Sequence, residues 1–205
     1  MPNKMSQKEI EYRITTHIAR ASGLDQHRKY LGISKISQCP RAAVLEFRNG
    51  IVETGAAHRM CYAGYEQERA VMQLLYNAGV SIGVFPMSKE VVAPFDSRLR
   101  GHIDGETVDG DLLEIKSVSK FKFDSIQADR IAKFAHLTQV QLYMRYGGWK
   151  KAFIVYRCRD TYEHVVIEVP YSESQSEKLE QKAKVILAYI DSGGLPPCEC
   201  GRCRQ

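Results

Sequence analysis

The chain is 205 residues long and 44% hydrophobic, enough for one sizeable core and too short for two full domains. Its formal net charge of +5 is a moderate basic balance, compatible with a polyanionic partner but no demonstration of one. No apolar run reaches the about 18 residues of a membrane span and the N-terminus lacks a signal-like apolar core, so neither a membrane-spanning nor a secreted protein is expected, and the expected location is the cytoplasm.

The opening "MPNKMSQKEIEYRITTHIARASG" reads as a charged amphipathic helix. Ser37 is placed to cap a helix through "QCPRAAVLEFRNG", with Gly50 as its stop, and "AAHRMCYAGYEQERAVMQLLYNAG" continues as a long helix ending at Gly79. Next come "VSIGVFPMSKEVVAPF", "LRGHIDGETV" and "DLLEIKSV", short β-type runs separated by Pro and Asp-Gly, which suggest a meander. "HLTQVQLYMRYGG" is predicted as a helix stopped by its glycines, and "KAFIVYRCR" and "HVVIEVPY" as alternating strands. "SESQSEKLEQKAKVILAYIDSGG" is an amphipathic helix with Ser172 as its cap. "LPPCECGRCRQ" has no room for regular structure and reads as a binding tail.

Within "RGHIDGETVDGDLLEIKS" the run Glu-Ile-Lys is anomalous, because charges are costly in an otherwise apolar strand. Glu114 and Lys116 are two apart, so both emerge on one face of the strand and Ile115 on the other. Asp104 precedes them by a hairpin with "VDGD" at its tip. A strict two-residue Asp109-Gly110 turn would set Asp104 opposite Ile115, on the wrong face, so a longer loop, a bulge or a bend at Asp104 is expected. Two converging carboxylates would hold a hard cation such as Mg²⁺ or Mn²⁺, with Lys116 left to orient a nucleophile or offset developing charge; hydrolysis of a nucleic-acid backbone fits these parts. A surface hairpin with a cross-strand salt bridge is the plainer alternative.

The same chain carries Gly64-x-x-x-Glu68 on the preceding helix and Gln139-x-x-x-Tyr143 on the following one. With the G-x-x-D and E-x-K strands between them, the stretch from Gly64 to Tyr143 resembles the RecB-like branch of the PD-(D/E)XK nucleases, which has these four motifs in this order. The resemblance implies a restriction-endonuclease-like α/β fold, a mixed central sheet flanked by helices. It implies Glu68, Asp104 and Glu114 as divalent-metal ligands, Lys116 as the catalytic lysine, and Gln139 and Tyr143 as a supporting pair near DNA. Ile103 stands where the family name has proline, and Glu68 where many relatives have histidine, which leaves Glu66 or His58 as substitute first ligands.

Cys198, Cys200 and Cys203 form C-x-C-x-x-C, and in a reducing compartment such thiolates suit zinc or an iron–sulfur cluster if a fourth ligand exists. Cys39 is the candidate; an unmetallated tail is the alternative. Here the chain resembles the CRISPR-associated exonucleases of the "protein four" family, which hold a 4Fe–4S cluster with one cysteine before the nuclease core and three after it. Tighter spacing in this tail keeps Zn²⁺ open. Cys61 and Cys158 read as small buried hydrophobes. The expected organisation is one nuclease domain over 1–205: a helical segment to about 55 with Cys39, a core over 56–192, and a tail over 193–205 that packs with the N-terminal segment as an iron–sulfur subdomain.

Just beyond the E-x-K strand, "KSVSKFKFD" interleaves Lys120 and Lys122 with Phe121 and Phe123, a pattern that suits phosphates and unpaired bases, or equally a strand leaving the sheet with alternate faces buried. "GGWKK" and Arg41 with Arg48 are weaker candidates for DNA contact. The sum is an expected metal-dependent DNA exonuclease favouring single-stranded ends, with CRISPR-integration or recombination proteins as possible partners. A DNA-binding adaptor of the same fold and a structural zinc protein are the rival readings.

Overall fold

The computed structural model describes residues 5–22, 29–50, 54–83, 89–201 and 203. Helix α1 (Gln7–Ala21) begins at Ser6, whose hydroxyl accepts the Glu9 amide at 3.2 Å. A strand β1 (Leu31–Gly32) and a single 3-10 turn (Ile33–Lys35) lead to α2 (Pro40–Asn49). Cys39, not Ser37, holds the N-cap of α2, because Pro40 needs no amide partner and takes the first helical position. Helix α3 (Gly55–Asn77) is capped by Thr54. Residues 84–88, part of the run expected as a strand, lie outside the described residues.

The remainder alternates as strands and helices: β2 (Glu90–Val92), β3 (Leu99–His102), β4 (Gly105–Glu106), β5 (Leu112–Val118), α4 (Lys120–Asp129), α5 (Phe134–Gly147), β6 (Lys151–Cys158), β7 (His164–Pro170) and α6 (Glu173–Ser192). The expected meander is split between two sheets. One has the order β1-β3-β2, with β1 parallel to β3; the other has the order β4-β5-β6-β7. β5 and β6 are parallel, joined by the α4–α5 crossover, and the other pairs of the larger sheet are antiparallel. "FKFD" therefore starts a helix and not an emerging strand, and Phe123 is buried while Phe121 is 86% exposed.

Strand parity sets the layers. Leu113, Ile115 and Val155 face one way and meet Val71 and Met72 of α3. Leu112, Ile154, Tyr156 and Cys158 face the other way, into the main core with Val140 and Leu142 of α5 and Ala183, Ile186 and Leu187 of α6. Glu114 and Lys116 share the parity of Leu112 and so emerge on the α5 side of the sheet. Among the described residues no helix is long and apolar enough to cross a membrane.

Candidate active site

The hairpin that carries Asp104 and Glu114 has a three-residue loop. Thr107 N–H donates to Asp111 O at 2.8 Å, and Gly110, at φ +82°, takes the left-handed position that such a loop requires. The register this sets pairs Gly105 with Leu113 and Glu106 with Leu112, which puts Asp104 opposite Glu114 and not opposite Ile115. The chain bends there, leaving the smaller sheet at His102 and entering the larger one at Gly105. Asp104 Oδ2 fills the gap in the ladder by accepting the Ile115 N–H at 2.6 Å. The other two parts of the constellation meet it. Glu114 is fully buried, its Oε1 paired with Lys116 Nζ, and its Oε2 finds no hydrogen-bond partner among the described residues.

Glu68, one turn before the part of α3 that packs on β5, joins this group. Burial pushes its carboxyl up to about 8, and the charge of Asp104 adds to the effect. Glu114 is likewise pushed up to about 8 by burial and then by Asp104, and burial raises Asp104 itself. Burial works against the Lys116 ammonium, but Glu114 and Asp104 outweigh it and hold the group protonated well above its ordinary range. Three carboxylates that cannot comfortably ionise together, one with an orphaned buried oxygen, suit a hard divalent cation. The substitute ligands are placed otherwise: Glu66 is exposed, and His58 Nδ1 lies 2.6 Å from Ser22 Oγ between α1 and α3, almost three helical turns before Glu68.

Gln139 and Tyr143 project from one face of α5 toward the same place. Gln139 Nε2 donates to Tyr143 Oη at 3.3 Å, and Tyr143 donates to His102 O at 2.8 Å. Burial and the charge of Glu114 keep that phenol protonated. The contact depends on Gly101, where a β-carbon would sit 2.6 Å from Tyr143 Oη, so the glycine of G-x-x-D makes room for the tyrosine of Q-x-x-x-Y. A cavity of about 400 Å³ opens beside this group, lined by Glu68, Asp104, Gln139 and Tyr143 together with Tyr30, Ser34, Tyr65 and Arg100. Arg100 went unremarked in the sequence although it stands at i and His102 and Asp104 at i+2 and i+4, on the same side of the strand. Its Nε is buried with no hydrogen-bond partner among the described residues, while its Nη1 reaches Glu90 Oε1 at 3.4 Å and its guanidinium lies 4.9 Å over the Tyr30 ring. Tyr30 and Ser34 left no local signal; the parallel pairing of β1 with β3 brings them in.

Solved structures share this fold, exonucleases among them. The alkaline exonuclease LHK-Exo of Laribacter hongkongensis superposes with a TM-score of 0.63 at 14% identity, over 87% of this chain and 93% of its own. SSO0001 gives a TM-score of 0.57 at 15% identity, over 89% of this chain and 87% of its own. A phage-related exonuclease of Haemophilus somnus 129PT gives 0.55 at 9% identity, over 80% and 94%. No protein-family model and no curated sequence matches the chain.

Away from the cleft, the sulfurs of Cys39, Cys198, Cys200 and Cys203 all lie within 4.8 Å of one another. The backbone N–H groups of Cys203 and Cys200 pull the Cys198 thiol down to about 6, while the Cys200 thiol and the other sulfurs push Cys203 up to about 12. Cys39 is drawn below its ordinary value, against the effect of burial, by the N–H groups of Glu199, Ala42 and Arg41 at the start of α2. A four-thiol group of this kind fits a metal centre. Cys61 is half-buried and Cys158 is buried, both outside this group. Of the residues expected to meet DNA, Lys120 is paired with Asp124 at 2.8 Å, Phe121 is exposed on the first turn of α4, and the charge of Lys122 reaches His136 of α5. Arg48 instead binds the chain's own backbone at Tyr189 O and Gly194 O.

Proposed function

We propose that the chain is a divalent-metal-dependent DNA exonuclease that hydrolyses phosphodiester bonds, favouring single-stranded ends. The observation that carries the reading is the unpartnered, fully buried Oε2 of Glu114 beside Asp104, Glu68 and the Lys116 ammonium. Glu68, Asp104 and Glu114 would hold Mg²⁺ or Mn²⁺, which when bound lowers the pKa of a water and offsets charge on the phosphoryl oxygens. Lys116 presents its proton-bearing nitrogen to the attacking water or the phosphate, and Gln139 and Tyr143 hold the strand that carries Asp104. The shared fold of the exonucleases above supports the same reaction class. The four cysteines would hold a 4Fe–4S cluster by the family resemblance. Their compactness favours a single tetrahedral Zn²⁺ as a second reading, because a four-iron cube spreads its thiolates wider than the about 2.3 Å bonds of one ion do. Iron with labile sulfide and visible absorption would decide for the cluster, and stoichiometric zinc in a colourless protein for the ion.

The test is cleavage of end-labelled single- and double-stranded DNA with Mg²⁺ or Mn²⁺. Wild type is expected to cut, and Lys116→Ala to lose at least about 10²–10³-fold in rate while keeping its fold and bound metal. A Lys116→Ala protein with full activity, or a wild type that binds DNA and never cuts it, would overturn the proposal, the latter in favour of an adaptor role in an integration or recombination complex.

A further inference from the structure

Three large apolar side chains of α4, α5 and the junction between them stand in solvent: Phe121 on the first turn of α4 at 86% exposure, Ile131 in the junction at 65% and Phe134 at the start of α5 at 68%. Phe121 and Phe134 are the two most exposed large hydrophobic residues among those described. The helix did not lack a core to place them in, since Phe123 and Ile126 of the same α4 are buried. Arg130 ends α4 in the left-handed region at φ 54°.

Lys122, Arg130 and Lys133 supply positive charge to this surface, beside Asp124 and Asp129 of α4. Lys133 Nζ lies 3.4 Å from Ser125 Oγ, one helical turn along from Phe121. Tyr156 Oη accepts the Lys133 N–H at 3.1 Å and is 2.8 Å from His136 Nδ1. These contacts fix the imidazole against the phenol and the first turn of α5. Charges of Lys116, Lys122 and Lys133 all reach the His136 ring and, after burial, keep it neutral. Tyr156, itself fully buried, is the cross-strand partner of Lys116, so Tyr156 and His136 link the catalytic lysine to Lys133 through the interior of the protein.

Aromatic faces in water beside ammonium groups answer one ligand chemistry. An unpaired nucleotide strand offers both phosphates and free base faces, while a duplex keeps its base faces stacked inside and would leave the phenyl rings in water. We propose that the exposed surface from the first turn of α4 to the start of α5 is the platform for a single-stranded segment of the DNA: Phe121 and Phe134 stack on unpaired bases, and Lys122 and Lys133 take the phosphates of a strand on its way to the cleft. This rests on the nuclease reading for the direction of the path, not for the binding itself.

The experiment uses the full chain with Ca²⁺ to hold DNA uncut, a short single-stranded oligonucleotide carrying 2-aminopurine, and a blunt duplex of the same sequence. Wild type is expected to quench the 2-aminopurine and to bind the single strand more tightly than the duplex. Phe121→Ala with Phe134→Ala is expected to abolish the quench and to lower single-strand affinity about ten- to a hundredfold, with duplex affinity changing less than about twofold. Both side chains are exposed, so a thermal melt should coincide with wild type, and Phe121→Trp with Phe134→Trp should restore the quench. Unchanged single-strand affinity in the alanine pair would overturn the platform, as would an equal fall for both DNAs or displacement of the oligonucleotide by an acidic peptide at equal strength. A wild type that quenches and discriminates but never cuts with Mn²⁺ sinks the nuclease reading and leaves the platform standing.

Discussion

At Glu114 function and stability pull in opposite directions. Its folded pKa is raised to about 8 against an ordinary value of 4.5, so the stability that belongs to its neutral form is complete below about 4.5 and is lost as pH rises through about 8. Glu68 is displaced in the same direction, also to about 8. Metal-free protein should therefore lose stability as pH rises from about 5 to 8, and adding Mg²⁺ or Mn²⁺ should return it by binding the folded state alone. Glu114→Gln, which keeps an oxygen toward Lys116, should raise the melting temperature in EDTA near pH 8 by several degrees, a gain of order a few kcal/mol, and lose that advantage near pH 5. The same variant should gain little from Mg²⁺ and cut no DNA. Calorimetry across pH with and without metal reads all of this, and a wild type that is most stable at pH 8 in EDTA would refute the buried-carboxylate account. Gly101→Ala makes a second test at this scale: a methyl group 2.6 Å from Tyr143 Oη must push the phenol off His102 O. The expected cost is about 1–3 kcal/mol in a denaturant titration, with slower cleavage because Asp104 rides on the same strand.

Elements differ in how far the sequence announces them, and the reason is how local their determinants are. β6, β7 and α6 follow from alternation and helical periodicity, and β7 buries every second residue as a half-covered edge strand should. The carboxylate pair was legible for a sharper reason. A two-residue turn would have wasted Asp104, so a longer loop had to exist, and Gly110 at positive φ closes it. The division of "LRGHIDGETV" between two sheets was not legible, because it depends on β1 arriving from about seventy residues upstream to pair with β3. The same is true of Tyr30 and Ser34 in the cleft wall. "KFKFD" was ambiguous in principle: alternating Lys and Phe satisfies a strand, but in a helix it turns Phe121 to water and Phe123 inward. The hairpin yields its own test. Gly110→Val forces a β-branched residue into the left-handed region and should cost about 1–2 kcal/mol in a thermal or denaturant melt. It should also slow cleavage by disturbing the register that sets Asp104 opposite Glu114, and unaltered kinetics would show that the register does not depend on this loop.

Over the whole molecule, the two chain ends are joined twice. One connection is the thiol quartet of Cys39 with Cys198, Cys200 and Cys203. The other is the packing of α2 on α6, fastened where Arg48 Nη2 donates to Tyr189 O at 2.6 Å and Gly194 O at 2.8 Å and where Lys182 Nζ donates to Gln38 O at 2.6 Å. Both close nearly the same loop, since Gln38 adjoins Cys39 and Gly194 lies four residues before Cys198. Once one tie holds the ends together, the second has little loop entropy left to remove, and the cost of closure falls only on a chain that lacks both. Cys203→Ser, or a chelator if the quartet holds a metal as proposed, should therefore lower the melting temperature without unfolding the protein. Arg48→Ala should do likewise, at about 1 kcal/mol or a little more, since it takes the guanidinium from the half-buried Gly194 carbonyl and leaves Tyr189 O with only the Ser192 hydroxyl. Combined, the two changes should cost at least about 1 kcal/mol more than their sum, because only then are the ends released. Circular-dichroism melts of the four proteins supply the cycle. Strict additivity would mean that the metal and the arginine stabilise separate regions, and the quartet would then be a local clamp on its own tail.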